Sequence, residues 1–233
     1  MNNFASSWNK VSGIFDTGGQ KKKIDTRAAD NMLLAWPVLL DLISRHFGNK
    51  ENLKALDFGC GTGAFCQKLY DLKFSVTGTD IAREMIERAR KNTDKTINYF
   101  VGDSQILKKL PQFDLIASIM VLQFIQSISQ ALVDIDQALK PGGLLVFASF
   151  NPEWVGECLK RKFRFGDGYI DFNGVKIPIY IRTVKEYDQL MSQYKYKKIL
   201  ESYPPFTAEF LSKYPGKYPV NVSKFMILGY AKK

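Results

Sequence analysis

Histidine, cysteine and long apolar runs are all scarce in this chain. Its 233 residues include one histidine and three cysteines. The longest apolar stretch, MLLAWPVLLDLI at 32–43, is broken by Pro37 and Asp41. It is too short to cross a bilayer, which takes about 20 residues, so no membrane partner is expected. Cys60, Cys66 and Cys158 are odd in number and form no C-x-x-C pair. That pattern argues against a disulfide framework and a structural zinc site, and it fits a reducing cytosol. No metal ligand set is expected. The sole histidine, His46, ends a helical stretch, where a cation suits the helix C-terminus, so a histidine-dependent mechanism is not expected either. The opening MNNFASSWNKVSG lacks a basic region followed by an apolar core. A secretory leader is therefore not expected, and a cytoplasmic location is.

Acidic residues are also few, 23 against 33 Lys and Arg, for a net charge of +10. The imbalance is uneven: residues 1–150 carry 18 basic against 15 acidic residues, and 151–233 carry 15 against 8. Such a field favours anionic partners, an acidic small molecule or nucleic acid, or else serves as a solubility surface.

What is present is ordinary globular composition, 45% apolar and 24% charged, enough for one α/β domain with decorations. Residues 1–24 show no periodic apolar pattern and contain Gly18-Gly19 and Lys21-Lys22-Lys23. They read as an arm that docks through Trp8, Ile14 and Phe15. Residues 25–47 carry a helical pattern, with Pro37 marking a kink or restart. Strand signals follow at 53–58, 74–79, 97–102, 113–119 and 143–150. Helices are predicted over 63–72, 82–92 and 127–139, with a turn at 104–109. This alternation implies βαβ crossovers and a mostly parallel sheet. On the helix over 82–92, Glu84/Arg88 and Glu87/Lys91 are spaced as i,i+4 pairs on a solvated face. After residue 150 the pattern changes. NPEW at 151–154 reads as a loop, Asn173-Gly174 predicts a hairpin, and 183–193 predicts a helix. YKKILESY and KFMILGYAKK predict two late strands joined by a long loop.

Four segments carry the functional signal. In LKALDFGCGTG, a strand ends at Asp57 and enters a loop with Gly59, Gly61 and Gly63. Glycines there let a ligand lie on the main chain, and the following helix offers unpaired N–H groups. In FSVTGTDIA, Asp80 ends the next strand, beside Ile81. In VGDSQIL, Asp103 ends the third strand, with Ser104 next to it, and in LKPGGLLVFASF the turn Pro141-Gly142-Gly143 leads into another. Alone, Gly59-x-Gly61-x-x-Ala64 with Asp80 also satisfies a dinucleotide fingerprint, which would mean a nicotinamide dehydrogenase. The three acids together line the C-terminal edge of a parallel sheet, where open α/β folds bind ligands.

In order and spacing, these segments resemble the class I S-adenosylmethionine-dependent methyltransferases, especially their small-molecule branch, over residues 50–150. The resemblance implies an α/β, Rossmann-like doubly wound sheet, mostly parallel with an antiparallel C-terminal strand, and helices on both faces. It implies a single domain: an N-terminal arm and cap helix (1–48), a cofactor-binding core (49–150), a lid or acceptor insertion (151–195) and C-terminal strands (196–233). It also implies S-adenosyl-L-methionine as cofactor, held by Asp57, Gly59, Gly61, Thr62, Gly63, Asp80, Ile81, Asp103 and Ser104. In that scheme Asp80 accepts the ribose hydroxyls, Asp103 the adenine amino group, and Asp57 orders the loop. Ile81 packs on the adenine ring; Met85 could join it there but reads as core and is left out of the site.

The same resemblance narrows the acceptor. After the fourth strand there is no [DN]-P-P-aromatic motif of adenine or cytosine amino-methyltransferases, and no Pro-Cys pair. Where related enzymes often show histidine, near Leu122, this chain has Gln123-Phe124. The catalytic residues stay unassigned. Base candidates are Tyr180, Tyr203 and Glu209, and a basic rim of Arg161, Arg164 and Arg182 with aromatic walls suits a planar or anionic small-molecule acceptor. The alternatives are an RNA or tRNA methyltransferase and a non-catalytic cofactor-binding protein. Oligomeric state is open.

Overall fold

A computed structural model describes residues 2–16, 24–48, 50–216 and 219–233. Gly18-Gly19 and the lysine run at 21–23 lie outside them. In chain order, α1 (Asn2–Val11) runs into a 3₁₀ turn at Ser12–Phe15. Helix α2 (Thr26–Asp30), a π turn (Asn31–Ala35) and α3 (Trp36–Phe47) follow one another directly. The alternating core comprises β1 (Lys54–Phe58), α4 (Ala64–Asp71), β2 (Ser75–Asp80), α5 (Arg83–Asn92), β3 (Asn98–Val101), β4 (Phe113–Ile119), α6 (Ile128–Ala138) and β5 (Leu139–Phe150). Then come α7 (Pro152–Lys160), β6 (Phe165–Gly166), β7 (Tyr169–Phe172), β8 (Val175–Pro178), α8 (Val184–Met191), β9 (Tyr196–Ser202), α9 (Ala208–Lys213) and β10 (Phe225–Lys232).

The main sheet has seven strands in the order β3-β2-β1-β4-β5-β10-β9. Strands β1 to β5 pair in parallel, and β10 is antiparallel to both β5 and β9. The order reverses between β1 and β4, the switch point at which such sheets open a ligand crevice. Alternate residues of each strand feed opposite cores. Ala55, Leu115 and Leu144 meet α3, α4, α5 and α9 on one face, and Leu56, Ile116 and Leu145 meet α6 and α8 on the other. Burying each such side chain stabilises by about 1.5–3 kcal/mol, which is why the strands read as unbroken apolar runs. Among the described residues, no helix is long and apolar enough to cross a membrane.

Pro37 restarts the helix, as the sequence suggests. Proline has no N–H to offer the preceding turn. The Trp36 N–H bonds five residues back to the Asn31 carbonyl, so the chain absorbs the defect as a π turn.

Three expectations are corrected. The segment read as an arm without periodicity is helical over Asn2–Val11, with Phe4, Trp8 and Val11 at i, i+4 and i+7 packing into a third apolar cluster. NPEW is the start of α7: Asn151 accepts from the Glu153 N–H at 3.1 Å as N-cap, and Pro152 takes the first turn, where its missing N–H costs nothing. Arg88 does not pair with Glu84. It reaches Asp16 at 2.6 Å and the Ser12 hydroxyl at 3.3 Å instead, because α1 and its turn cover what looked like a solvated face of α5.

Candidate functional site

At the C-terminal edge of the parallel strands lies a cleft of about 590 Å³. Its floor is the 59–63 loop. All three glycines have left-handed backbone, with φ of +78°, +54° and +84°, but for different reasons. A Cβ on Gly59 would come within 2.2 Å of Val121, and one on Gly63 within 2.6 Å of the Tyr99 hydroxyl. A Cβ on Gly61 would meet nothing within 4 Å. Packing therefore dictates the outer two, and the middle glycine bares main chain to the cleft. The loop is tied to β2 by N–H groups of Gly59 and Cys60, which donate to the Thr79 carbonyl at 2.7 and 2.9 Å.

Asp80 joins loop and strand. Its Oδ2 accepts from the Gly61 N–H at 2.9 Å and its Oδ1 from the Ala82 N–H at 2.8 Å. Burial pushes its carboxyl up to about 6 against the pull of these amides. A carboxylate offers about four acceptor positions, so two remain for a ligand. Asp57 sits deeper, 2% exposed, with the Cys66 thiol donating to Oδ2 at 3.3 Å. Burial pushes it to about 7; the thiol resists and the Asp80 charge adds to the rise. Asp103 caps the 3₁₀ turn Ser104–Lys109, accepting from the Gln105 N–H at 3.0 Å, and lines the cleft.

Two predicted site residues turn their hydroxyls elsewhere. Thr62 donates to the Phe15 carbonyl at 2.8 Å, and Ser104 to Asp134 at 2.6 Å. Ile81 lines the cleft, and so does Met85, which a lone methionine's preference for the core had kept out of the expected site. Nothing in the sequence distinguishes the two uses, because Met85 is also 3% exposed.

The cover comes from far along the chain. Phe4, Trp8 and Phe15 line one wall. Trp8 meets Phe124 edge-on, with ring centres 4.8 Å apart, and Phe15 meets Phe172 at 5.6 Å. Asp16 is held by Arg88 at 2.6 Å and by the Asn92 amide at 3.0 Å. The N-terminal segment thus bridges α5 and the small sheet β6-β7-β8. The lining also includes Arg27, Asn31, Phe150, Trp154, Arg164 and Tyr180.

Of the base candidates, only Tyr180 lines the cleft. Tyr203 is exposed and donates to Glu201 at 3.2 Å, and Glu209 lies exposed in the first turn of α9. Of the basic rim, only Arg164 faces the cleft. Arg161 is exposed beyond α7. Arg182 spends its guanidinium on the carbonyls of Leu122, Tyr180, Ile125 and Gln126 at 2.9–3.2 Å, bracing the loop that carries Phe124. Gln123 is buried and accepts from the Ser149 hydroxyl at 3.3 Å. Burial pushes the Cys60 thiol up to about 11 and Cys158 to about 12, so neither supplies a thiolate nucleophile near neutral pH.

A family model described as a methyltransferase domain matches residues 31–213. The chain is similar to the malonyl-[acyl-carrier protein] O-methyltransferase of Priestia megaterium, 34% identical over 115 residues, 48% of this chain and 42% of that protein. It is similar to the ubiquinone biosynthesis O-methyltransferase of Rickettsia canadensis, 27% identical over 116 residues, 48% and 49% of the two chains. The match spans about half the length of these curated relatives. Two solved structures share the fold. One is an S-adenosylmethionine dependent methyltransferase from Mesorhizobium loti (TM-score 0.63, 23% identity, 84% of this chain and 97% of that one). The other is magnesium protoporphyrin IX methyltransferase from Synechocystis PCC 6803 with bound SAH (TM-score 0.68, 14% identity, 99% and 96%).

Proposed function

The chain belongs to the methyltransferase domain family, and from that premise we propose that it transfers a methyl group from S-adenosylmethionine to a small planar molecule. Oxygen is favoured over nitrogen as the receiving atom, since both curated relatives are named O-methyltransferases. One arrangement carries the reading: Asp57, Asp80 and Asp103 at or just beyond three neighbouring strand ends, around a loop whose middle glycine is open to the cleft. The residues fit the cofactor. Asp80 has two acceptor positions left for the ribose hydroxyls. Asp103 and the main chain of Ser104 would take the adenine edge, with Ile81 and Met85 against the ring. Thr62 would contribute main chain, since its hydroxyl is committed to Phe15. Asp57 would order the loop and balance the cofactor ammonium.

When bound, the cofactor would supply a sulfonium methyl carbon open to attack by an acceptor lone pair, with the thioether of SAH as the leaving group. The chain's own task is placement. Aromatic walls from Trp8, Phe124, Phe150 and Trp154 exclude water and hold a planar acceptor. Alignment of this kind is worth on the order of 7–11 kcal/mol. Tyr180 is the hydroxyl that would orient the acceptor. Three buried, unpaired thiols suit a cytosolic setting.

The test is thermal melting with S-adenosylmethionine, its demethylated product SAH and NAD, on the wild type and Asp80→Ala. A ligand at a hundredfold its Kd stabilises by about 2.7 kcal/mol. Both sulfur compounds should raise the wild-type Tm and leave Asp80→Ala nearly unmoved. A shift with NAD alone would overturn the reading.

A further inference from the structure

Three cations line the cleft, and two of them are ion-paired within the protein. Arg27 grips Asp25 with two nitrogens, at 2.7 and 2.5 Å, and gives a third to Asn173 at 3.1 Å. Lys224 is ion-paired with Asp30 in the interior. Arg164 differs. Its guanidinium lies 5.0 Å over the Phe163 ring and has no hydrogen bond or ion pair to any described residue. It is nevertheless half-buried and lines the cleft.

The backbone at Arg164 is costly as well. Its φ is +58°, in the left-handed region that a long side chain rarely adopts. The conformation is pinned by the Asp171 N–H, which donates to the Arg164 carbonyl at 2.7 Å across the β6–β7 hairpin. Strained residues held by their surroundings cluster at ligand sites. Burial and the nearby Arg27 disfavour the charged guanidinium, while Asp25 and Asp30 favour it from a distance without a direct bond to it. Desolvating a cation is unfavourable unless an anion or hydrogen-bond acceptor compensates. No described residue accepts directly from the Arg164 guanidinium: Asp25 already takes three bonds from Arg27, and Lys224 holds Oδ2 of Asp30, whose buried Oδ1 has no hydrogen-bond partner. A direct acceptor is left for a ligand oxyanion to supply.

The surroundings define its carrier. Phe150, Trp154 and Phe165 form the apolar wall beside Arg164, with Phe150 and Trp154 stacked at 5.9 Å and Phe165 edge-on to both. Asn31 Oδ1 is buried in the same lining without a partner, so a ligand hydroxyl or N–H has an acceptor there. We propose that Arg164 is the specificity-determining residue of the acceptor site, and that the acceptor is an aromatic acid whose oxyanion docks on its guanidinium fork. A fork matches carboxylate or phosphate with two parallel bonds. This rests on the methyltransferase reading.

The experiment measures binding to SAH-saturated protein by calorimetry. The probes are 6-hydroxy-2-naphthoate, its uncharged amide, and naphthyl phosphate to distinguish the two oxyanion sources. On the wild type, one oxyanion should bind at least about tenfold tighter than the amide, the scale of one charge-assisted hydrogen bond. Arg164→Gln should abolish that preference while leaving amide and SAH affinity within about twofold, and Arg164→Lys should restore part of it. Equal binding of acid and amide to the wild type, no binding of any probe, or a loss in Arg164→Gln common to all probes would overturn the proposal. If Arg164→Gln instead lowers Tm without SAH and leaves the preference intact, the guanidinium serves Asp30 and the proposal also fails. Failure of SAH itself to bind would be a failure of the cofactor reading, seen before any probe is added.

Discussion

The main-chain N–H of Gly61 donates to the carboxylate of Asp80 at 2.9 Å, so the open glycine of the loop and the acid of the second strand form one unit. Ala82 holds the other oxygen at 2.8 Å. Asp80→Asn keeps shape but offers one acceptor oxygen to two main-chain donors, and points an NH₂ at the other. Hydrogen bonds to charged groups are worth about 1.5–3 kcal/mol. SAH affinity should therefore fall by roughly 10- to 150-fold, read by calorimetry. An unchanged Kd would separate Asp80 from the cofactor.

Asp57 gives the protein a pH signature. Its folded carboxyl is pushed up to about 7 from an ordinary value of 3.8. Between those values the native state holds a proton that the unfolded chain has released, so stability falls as pH rises through the window. Asp57→Asn removes this dependence. Denaturant melts without cofactor should show the variant gaining on the wild type from pH 4 to pH 8, by up to a few kcal/mol. Parallel pH profiles for the two proteins would assign the buried carboxyl an ordinary pKa.

Thr62 fastens the N-terminal cover to the glycine loop through the Phe15 carbonyl at 2.8 Å. Thr62→Val keeps volume and removes one hydrogen bond worth about 1 kcal/mol. If the cover holds the cofactor in place, its loosening should appear chiefly in dissociation. Stopped-flow release of SAH should be severalfold faster, with association little altered. Equal acceleration of both rates would mean that the cover gates entry rather than retention.

Much of this was legible in the chain. Asp57, Asp80 and Asp103 announced themselves because strand ends on a parallel sheet share one edge, which local spacing reveals. Trp8 reads as a docking residue from the sequence, but what it docks on does not, because Phe124 and Phe172 lie more than a hundred residues away. Helix α1 is hard to see because Phe4, Trp8 and Val11 are its three large apolar residues in a polar stretch. Asn151-Pro152 carries a helix-start signature, a capping side chain and a first-turn proline, which the reading of NPEW as a loop passes over. Tyr203, Glu209 and Arg182 were misjudged for one reason: sequence identifies a chemical group but not the direction it faces.

The buried pair of Lys224 and Asp30 joins the start of β10 to α2 beneath the acceptor wall. Burial raises the Asp30 carboxyl, and Lys224 opposes that rise. Lys224→Met strands the carboxylate, a loss typically worth 3–5 kcal/mol near neutral pH. Without its partner, Asp30 should take up a proton more readily, so the defect should shrink as pH falls toward 5. The double variant Lys224→Met with Asp30→Leu removes both charges and should recover most of the stability, since an apolar replacement for a buried pair is often neutral. Chemical denaturation of the four proteins at two pH values gives the coupling directly. Additive losses in the double variant would mean that the pair contributes packing rather than charge.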